Sequence, residues 1–367
     1  MDEKVKLLYT KGYGLEADKV VAGDMRHIIK AIHCNIGVVE AVILEGSYGR
    51  GEGAMIWASG RWMPVNDYDI CIVVNRSLSP SDLISVRKDL LKQSDISRLD
   101  ITSITSTNLR KLSPRLINFD RKYGGQVIHG DTTILGQIPE MQPDQIPLFE
   151  VEKEYYTRMI AFIVSFEEKY LKSKMSNVDI FRMRQQVSKA LIACANAVLI
   201  SRGQYHSSFE ERCRRFSKIG GYDKQTNALI LDAFEFKARP VSDPIVNPIS
   251  YYFVCRDAYV ECFRQFVEKM YKRKIRDWCI YSESYINSYR NLMIRLSQFV
   301  TRRSSHIETL RLNLVQLFLV CAVTKDGLNK DKIEYQLLIN ELQKFRGVKV
   351  SSHDWDSVRK VILQKRM

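Results

Sequence analysis

The sequence predicts an α+β chain, a small mixed β-sheet with helices followed by an all-α part. Between residues 38 and 131, four short apolar runs rich in β-branched residues are separated by glycine turns and helical patterns, as strands of a small sheet are. Beyond residue 148 the apolar positions recur at the helical period alone. Gly136, Pro139, Pro143 and Pro147 interrupt the periodicity between these two regimes and mark a linker. The 367 residues therefore divide into 1–146 and 147–367, each long enough to bury a core.

In chain order, Val20, Val21, Met25, Ile28, Ile29 and Ile32 lie at helical spacing and predict a helix over 17–33. His27 and His33 fall near it and read as surface or core residues, not ligands. Val38–Leu44 is the first strand. It runs into Gly46-Ser47-Tyr48-Gly49-Arg50-Gly51-Glu52-Gly53, a turn whose glycines let backbone approach a ligand. Residues 51–58 are expected as a short helix with its N-terminus toward an anion. Trp57, Arg61 and Trp62 fall in the longer stretch up to Asp67, expected as a hairpin or loop near substrate. Asp69–Val74 is the second strand, entered through Asn66-Asp67-Tyr68. Ser79-Pro80-Ser81-Asp82 has the form of a helix cap and opens a helix to about residue 93. Arg98-Leu99-Asp100-Ile101-Thr102 alternates as a strand does. A helix over 116–123 and a last strand and turn over 126–131 follow, with His129 and Asp131 read as structural.

In the second part, Val187, Ala190, Leu191, Cys194, Ala197 and Val198 form one apolar stripe of a helix over 178–200. Arg182, Gln186, Lys189 and Asn196 fall on another face, which is either solvated or closes a cleft. Further helices are expected over 222–238, 249–274, 280–300, 306–323, 330–345 and 353–365. Arg239-Pro240, Asp243-Pro244 and Asn247-Pro248 mark a break among them. The net charge is +14, and residues 1–146 are balanced, with 18 Lys+Arg against 18 Asp+Glu. The remaining residues hold 38 of the 56 basic and 24 of the 42 acidic side chains, so the whole excess lies in the second part. Such asymmetry favours an anionic partner: a nucleoside triphosphate, a nucleic acid or a phosphorylated sugar. The densest basic run, residues 269–276, and the pair Arg302-Arg303 read either as a grip on a phosphate backbone or as helix ends. No apolar stretch reaches the ~20 residues that span a bilayer. The N-terminus lacks the layout of a signal peptide. Eight cysteines occur without a Cys-x-x-Cys pair, so reduced thiols are expected and a zinc site is not. The expected setting is cytoplasmic, without a membrane.

The chemistry concentrates at Asp67 and Asp69. Two residues apart on a strand, they share a face at roughly 6–7 Å. Unpaired, they repel by about 2–3 kcal/mol at an effective dielectric near 20. A divalent cation offsets that cost, and an all-oxygen ligand set favours Mg²⁺. Gly46-Ser47 followed about twenty residues on by Asp67-x-Asp69 resembles the DNA polymerase β-like nucleotidyltransferase superfamily. The run Tyr48-Gly49-Arg50-Gly51-Glu52 is similar to the glycine turn of PII-protein uridylyltransferases. The resemblance implies that Gly46 and Ser47 hold the terminal phosphates of an NTP, ATP first among them, with Arg50 as a further phosphate ligand or as a partner of Glu52. It implies two Mg²⁺, with Mn²⁺ as a substitute, on Asp67, Asp69 and a third carboxylate. Asp100 is assigned to that place, with Asp95 as the competitor. The helical part resembles that of kanamycin- and streptomycin-type nucleotidyltransferases, which implies that Lys189 touches the triphosphate and that Tyr205, in Gly203-Gln204-Tyr205, packs near the base. The expected activity is transfer of an NMP from an NTP to a hydroxyl acceptor with release of pyrophosphate. The acceptor is left open among a small hydroxylated metabolite, a protein and an RNA. The rival readings are a catalytically silent nucleotide- or RNA-binding module and a cyclic-oligonucleotide signalling synthase. Gly51 and Glu52 depart from the Gly-Ser-x-x-x-x-Thr turn of such synthases.

Overall fold

The computed structural model describes residues 8–93, 96, 99–240, 245–287, 305–345 and 354–366. Asp95, Arg98, Asp243-Pro244, Arg302-Arg303 and residues 288–300 of the expected helix lie outside the described residues. The chain divides into two compact units. The first comprises residues 1–150, 198–220 and 234–241, and the second the remainder. The expected boundary after residue 146 marks only the first of these crossings.

The first unit is built on a mixed four-stranded sheet. Its strands are β1 (Ala41–Glu45), β4 (Tyr68–Val74), β5 (Leu99–Thr105) and β6 (Gln126–Gly130), in the order β5-β4-β1-β6. β4 and β5 are parallel, whereas β1 runs antiparallel to both β4 and β6. The parallel pair needs a crossover, and α3 (Pro80–Gln93) supplies it. Helix α1 (Leu15–Ile36) buries Val21, Met25, Ile28 and Ile32 against Val42, Leu44, Ile70 and Ile72, with Val86 and Leu90 of α3 in the same core. The remaining residues of β1 and β4, Ala41, Ile43, Cys71 and Val73, face the other way and are also fully buried. Both strands are covered on both faces, which explains their near-continuous apolar runs. The N-terminal segment is fixed by Asp18, which accepts hydrogen bonds from Tyr9 N (2.8 Å), Thr10 N (2.9 Å) and Thr10 Oγ1 (2.9 Å).

Residues 51–58 are not a helix. A single helical turn, α2 (Gly46–Gly49), follows β1 directly, and β2 (Met55–Ala58) and β3 (Arg61–Pro64) form a hairpin. Alternation of Met55, Trp57 and Trp62 about Ser59-Gly60 decides this. Both turn residues have positive φ (52° and 76°), the conformation that joins twisted strands through two residues. Trp57 and Trp62 are cross-strand partners, and Trp62 packs edge-on to Tyr13 at 5.8 Å. α4 (Ser106–Leu109) and α5 (Leu116–Gly124) lead from β5 to β6.

Among the described residues the second unit is helical apart from a two-residue strand pair, Val323–Thr324 with Gly327–Leu328, that the sequence pattern does not announce. α6 (Leu148–Ser165), α7 (Asn177–Ser201), α9 (Lys224–Ala238), α10 (Pro248–Tyr271) and α11 (Trp278–Asn287) are followed by helices over Ser305–Ala322, Ile333–Gln343 and Trp355–Arg366. α7 and α9 each cross from one unit to the other, and α8 (Phe209–Ile219) belongs to the first. α7 is buried nearly all round from Val187 to Ile200, the mark of a central helix. Its polar row is correspondingly mixed: Arg182 is exposed, Gln186 and Lys189 are half-buried, and Asn196 is buried with its amide donated to Glu154 at 2.9 Å. Aromatic rings fill the core, and their polar ends are matched. Tyr252 donates to Phe162 O (2.9 Å), Tyr281 to Glu152 (2.8 Å) and Trp355 Nε1 to Phe166 O (3.0 Å). The basic run over 269–276 is a helix end: Lys272 caps α10 in the left-handed region, and Glu268 accepts from Ile275 N at 2.8 Å. No described helix is long and apolar enough to cross a membrane.

Candidate active site

The sheet register brings carboxylates together. Glu45 closes β1 opposite Asp69, and Asp69 in turn pairs with Asp100 on β5. Residues directly opposite share a face, so Glu45, Asp69 and Asp100 form a row across three strands, with Asp67 two residues before Asp69 on the same side. Oxygens of Asp67, Asp69 and Asp100 all lie within 4.8 Å of one another. The burial is graded: Asp67 and Asp69 are half-buried, whereas Asp100 is exposed and meets Arg87 of α3 at 3.4 Å.

The glycine turn reaches the same point. Gly46 has φ +65°, and a Cβ built on it would stand 2.1 Å from Asp69 Oδ2. Only a residue without a side chain lets the carboxylate lie there. Tyr48, 1% exposed, anchors the turn by donating to Ala54 O at 2.9 Å and by packing on Tyr68 at 4.8 Å. Ser47 is buried, and Asn66 Nδ2 approaches its Oγ at 3.5 Å. Asn66 Oδ1 accepts from Lys237 at 2.8 Å. Ser47 thus touches the residue that immediately precedes Asp67.

Electrostatics follow from this crowding. Burial, then the charges of Asp67, Glu45 and Asp100, push Asp69 up to about 6, with Arg50 opposing. Glu45 is also raised by burial, although its ion pair with Arg121 pulls the other way. Three hard oxygen donors in reach of one another, one with a frustrated negative charge, fit a divalent cation of the Mg²⁺ or Mn²⁺ type.

Neither models of known protein families nor curated proteins match this sequence. The candidate site rests on the residues themselves.

Other expected residues have different surroundings. The side chain of Arg50 is buried, its Nε donating to Glu52 at 3.1 Å and its guanidinium lying 4.5 Å from the centre of the Phe209 ring. It is thus placed in the turn's own framework, the second of its two expected roles, while still acting on Asp69 through its charge. Tyr205 is 1% exposed and donates to both oxygens of Asp120 (3.0 and 3.1 Å), with its ring against Phe119 and Arg212. A ring so enclosed, with Phe119 and Arg212 against it, presents no face to a base, and Asp120, itself raised by burial, takes its hydroxyl. Lys189 is half-buried on α7 and belongs to the second unit. Glu45, with its partner Arg121, and Lys237, through Asn66, were not expected beside the aspartates. Glu45 abuts Gly46, and its i, i+2 relation to Ile43 fixes its face, but only the register with β4 reveals Asp69 beside it.

Proposed function

We infer that this chain is a divalent-metal-dependent nucleotidyltransferase, moving an NMP from an NTP to a hydroxyl acceptor with release of pyrophosphate. What carries this reading is the meeting of the Gly46 turn with Asp69 at the point where Asp67, Asp69 and Asp100 converge. Asp67, Asp69 and Asp100 would hold the metal. Such an ion neutralises phosphate charge and acidifies an acceptor hydroxyl when bound. The bare Cα of Gly46 lets the Asp69 carboxylate lie against the turn, and the Ser47 hydroxyl, steadied by Asn66, supplies a donor to a phosphate. Asp100, the most exposed of the three, takes the proton as the acceptor oxygen bonds to the α-phosphorus and the bond to pyrophosphate breaks. Positioning and charge neutralisation do most of the work in such chemistry. All eight cysteines are unpaired, which suits the reducing cytoplasm.

The test is product analysis by mass spectrometry after incubation with each NTP, Mg²⁺ and an extract supplying acceptors. Wild type is expected to form an acceptor heavier by one NMP, and Asp67→Asn to form none. Equal product from Asp67→Asn and wild type would refute the assignment.

A further inference from the structure

A second cluster of metal-ligating side chains lies away from the aspartates, on the α1 side of the sheet. His33, in the last turn of α1, and His129, on the edge strand β6, are 96 residues apart in sequence. Their Nε2 atoms nevertheless stand 2.9 Å apart, with ring planes at 84°. His129 is the register partner of Val42, whose side chain belongs to the core beneath α1, so the sheet delivers its ring to that helix.

Two features suit this pair to a shared cation. First, His33 Nδ1 faces the carbonyl of Gly37 at 3.1 Å. A carbonyl accepts only, so Nδ1 carries the proton and Nε2 of the neutral ring turns its lone pair toward His129. A backbone carbonyl on the far nitrogen is the usual device that orients a metal-binding histidine. Second, the ring centroids are 4.6 Å apart. A straight N–H···N bond of this length would hold them about 5.2 Å apart. Two rings aimed at a common apex, each about 2.0–2.1 Å from it and meeting at about a right angle, give nitrogens about 2.9 Å and centroids about 4.5 Å apart.

We propose that His33 and His129 form a two-nitrogen chelate for a late first-row divalent cation, Cu²⁺, Ni²⁺ or Zn²⁺, which ties the end of α1 to β6. Among the described residues no carboxylate or thiol joins the pair as a third ligand, so water completes the shell. Imidazole ligands disfavour Mg²⁺, so the pair and the aspartates differ in the ions they prefer.

Full-length protein carrying Cys34→Ser, which removes the exposed thiol beside His33, is loaded with one equivalent of Cu²⁺. Electron paramagnetic resonance is expected to show two equatorial nitrogen ligands. Calorimetry with Ni²⁺ and Zn²⁺, run on the Asp69→Asn background in excess Mg²⁺ so that the aspartates do not compete, is expected to show one site, weakened at least tenfold by His33→Ala and by His129→Ala. A spectrum without coupled nitrogens, or histidine variants that bind as the parent does, overturns the proposal. The spectrum needs no histidine variant, so a variant that fails to fold does not protect the idea.

Discussion

Asp69 is held where its negative charge is costly, and that cost has a sign that can be measured. The carboxyl titrates near 4 in an unfolded chain and at about 6 in the folded one. Between these values the folded state binds the extra proton, so the contribution of Asp69 favours folding at low pH and is lost as pH rises through about 6. At pH 7.5 without divalent metal, Asp69→Asn should therefore stabilise the protein by about 1–3 kcal/mol, and urea unfolding from pH 4 to 7 should lose part of its slope. The same variant should have no transferase activity. Stabilisation at the expense of function is what a site built to receive a cation predicts. Gly46→Ala should act in the opposite direction. A Cβ pressed against Asp69 at positive φ should cost about 1–3 kcal/mol in thermal or urea unfolding and displace the carboxylate, so that activity falls further than stability does. At this scale the sequence was highly legible. Asp67 and Asp69 were read from strand alternation beside a glycine turn, which are local signals, and Asp100 from a strand pattern together with the resemblance, over Asp95. Glu45 and Lys237 were not, because their proximity depends on cross-strand register and on a contact that spans 171 positions.

Elements are held by contacts of the same long range. Helix α8 is capped by Ser208, yet its first turn is also held by Glu52 from the glycine turn. Glu52 accepts from Ser208 Oγ (2.6 Å), Phe209 N (2.9 Å) and Glu210 N (3.2 Å). Burial alone would raise this carboxyl, but those donors and Arg50 outweigh it and hold it below the ordinary range. Its contribution is present above the unfolded value, near 4.3, and is lost as pH falls through the lower folded value. Glu52→Gln should cost about 2–4 kcal/mol at pH 7. The gap between variant and wild type should narrow in unfolding curves taken near pH 3. The sequence allowed Arg50 to pair with Glu52, since the two sit side by side in one turn. It could not announce that Glu52 also caps a helix 156 residues on. The short helix expected over 51–58 failed for a related reason. Glycine-rich segments carry little propensity of their own, and the pairing of Trp57 with Trp62 decided the outcome.

The two units are not consecutive stretches of the chain. Residues 198–220 and 234–241 return to the first unit after the chain has entered the second. Composition marks where a linker begins, at the prolines after residue 136, but nothing local marks a return made in the middle of helices α7 and α9. A fragment of residues 1–150 would carry Glu52 and Asp120 without Ser208, Tyr205 and Arg212. Buried carboxylates stripped of their partners are strongly destabilising. That fragment should lack a cooperative urea transition by circular dichroism, while the full chain shows one.

The central claim is that the carboxylates and the glycine turn act together on a nucleoside triphosphate. Pyrophosphate release from each NTP, followed as Mg²⁺ is titrated into the full chain and into Asp69→Asn at pH 7.5, tests it most directly. The expected result is release by the wild type that depends on Mg²⁺ and on one or more NTPs, with none from the variant. Release that persists undiminished in Asp69→Asn, or wild type that releases none with any NTP in the presence of acceptor extract, would contradict it.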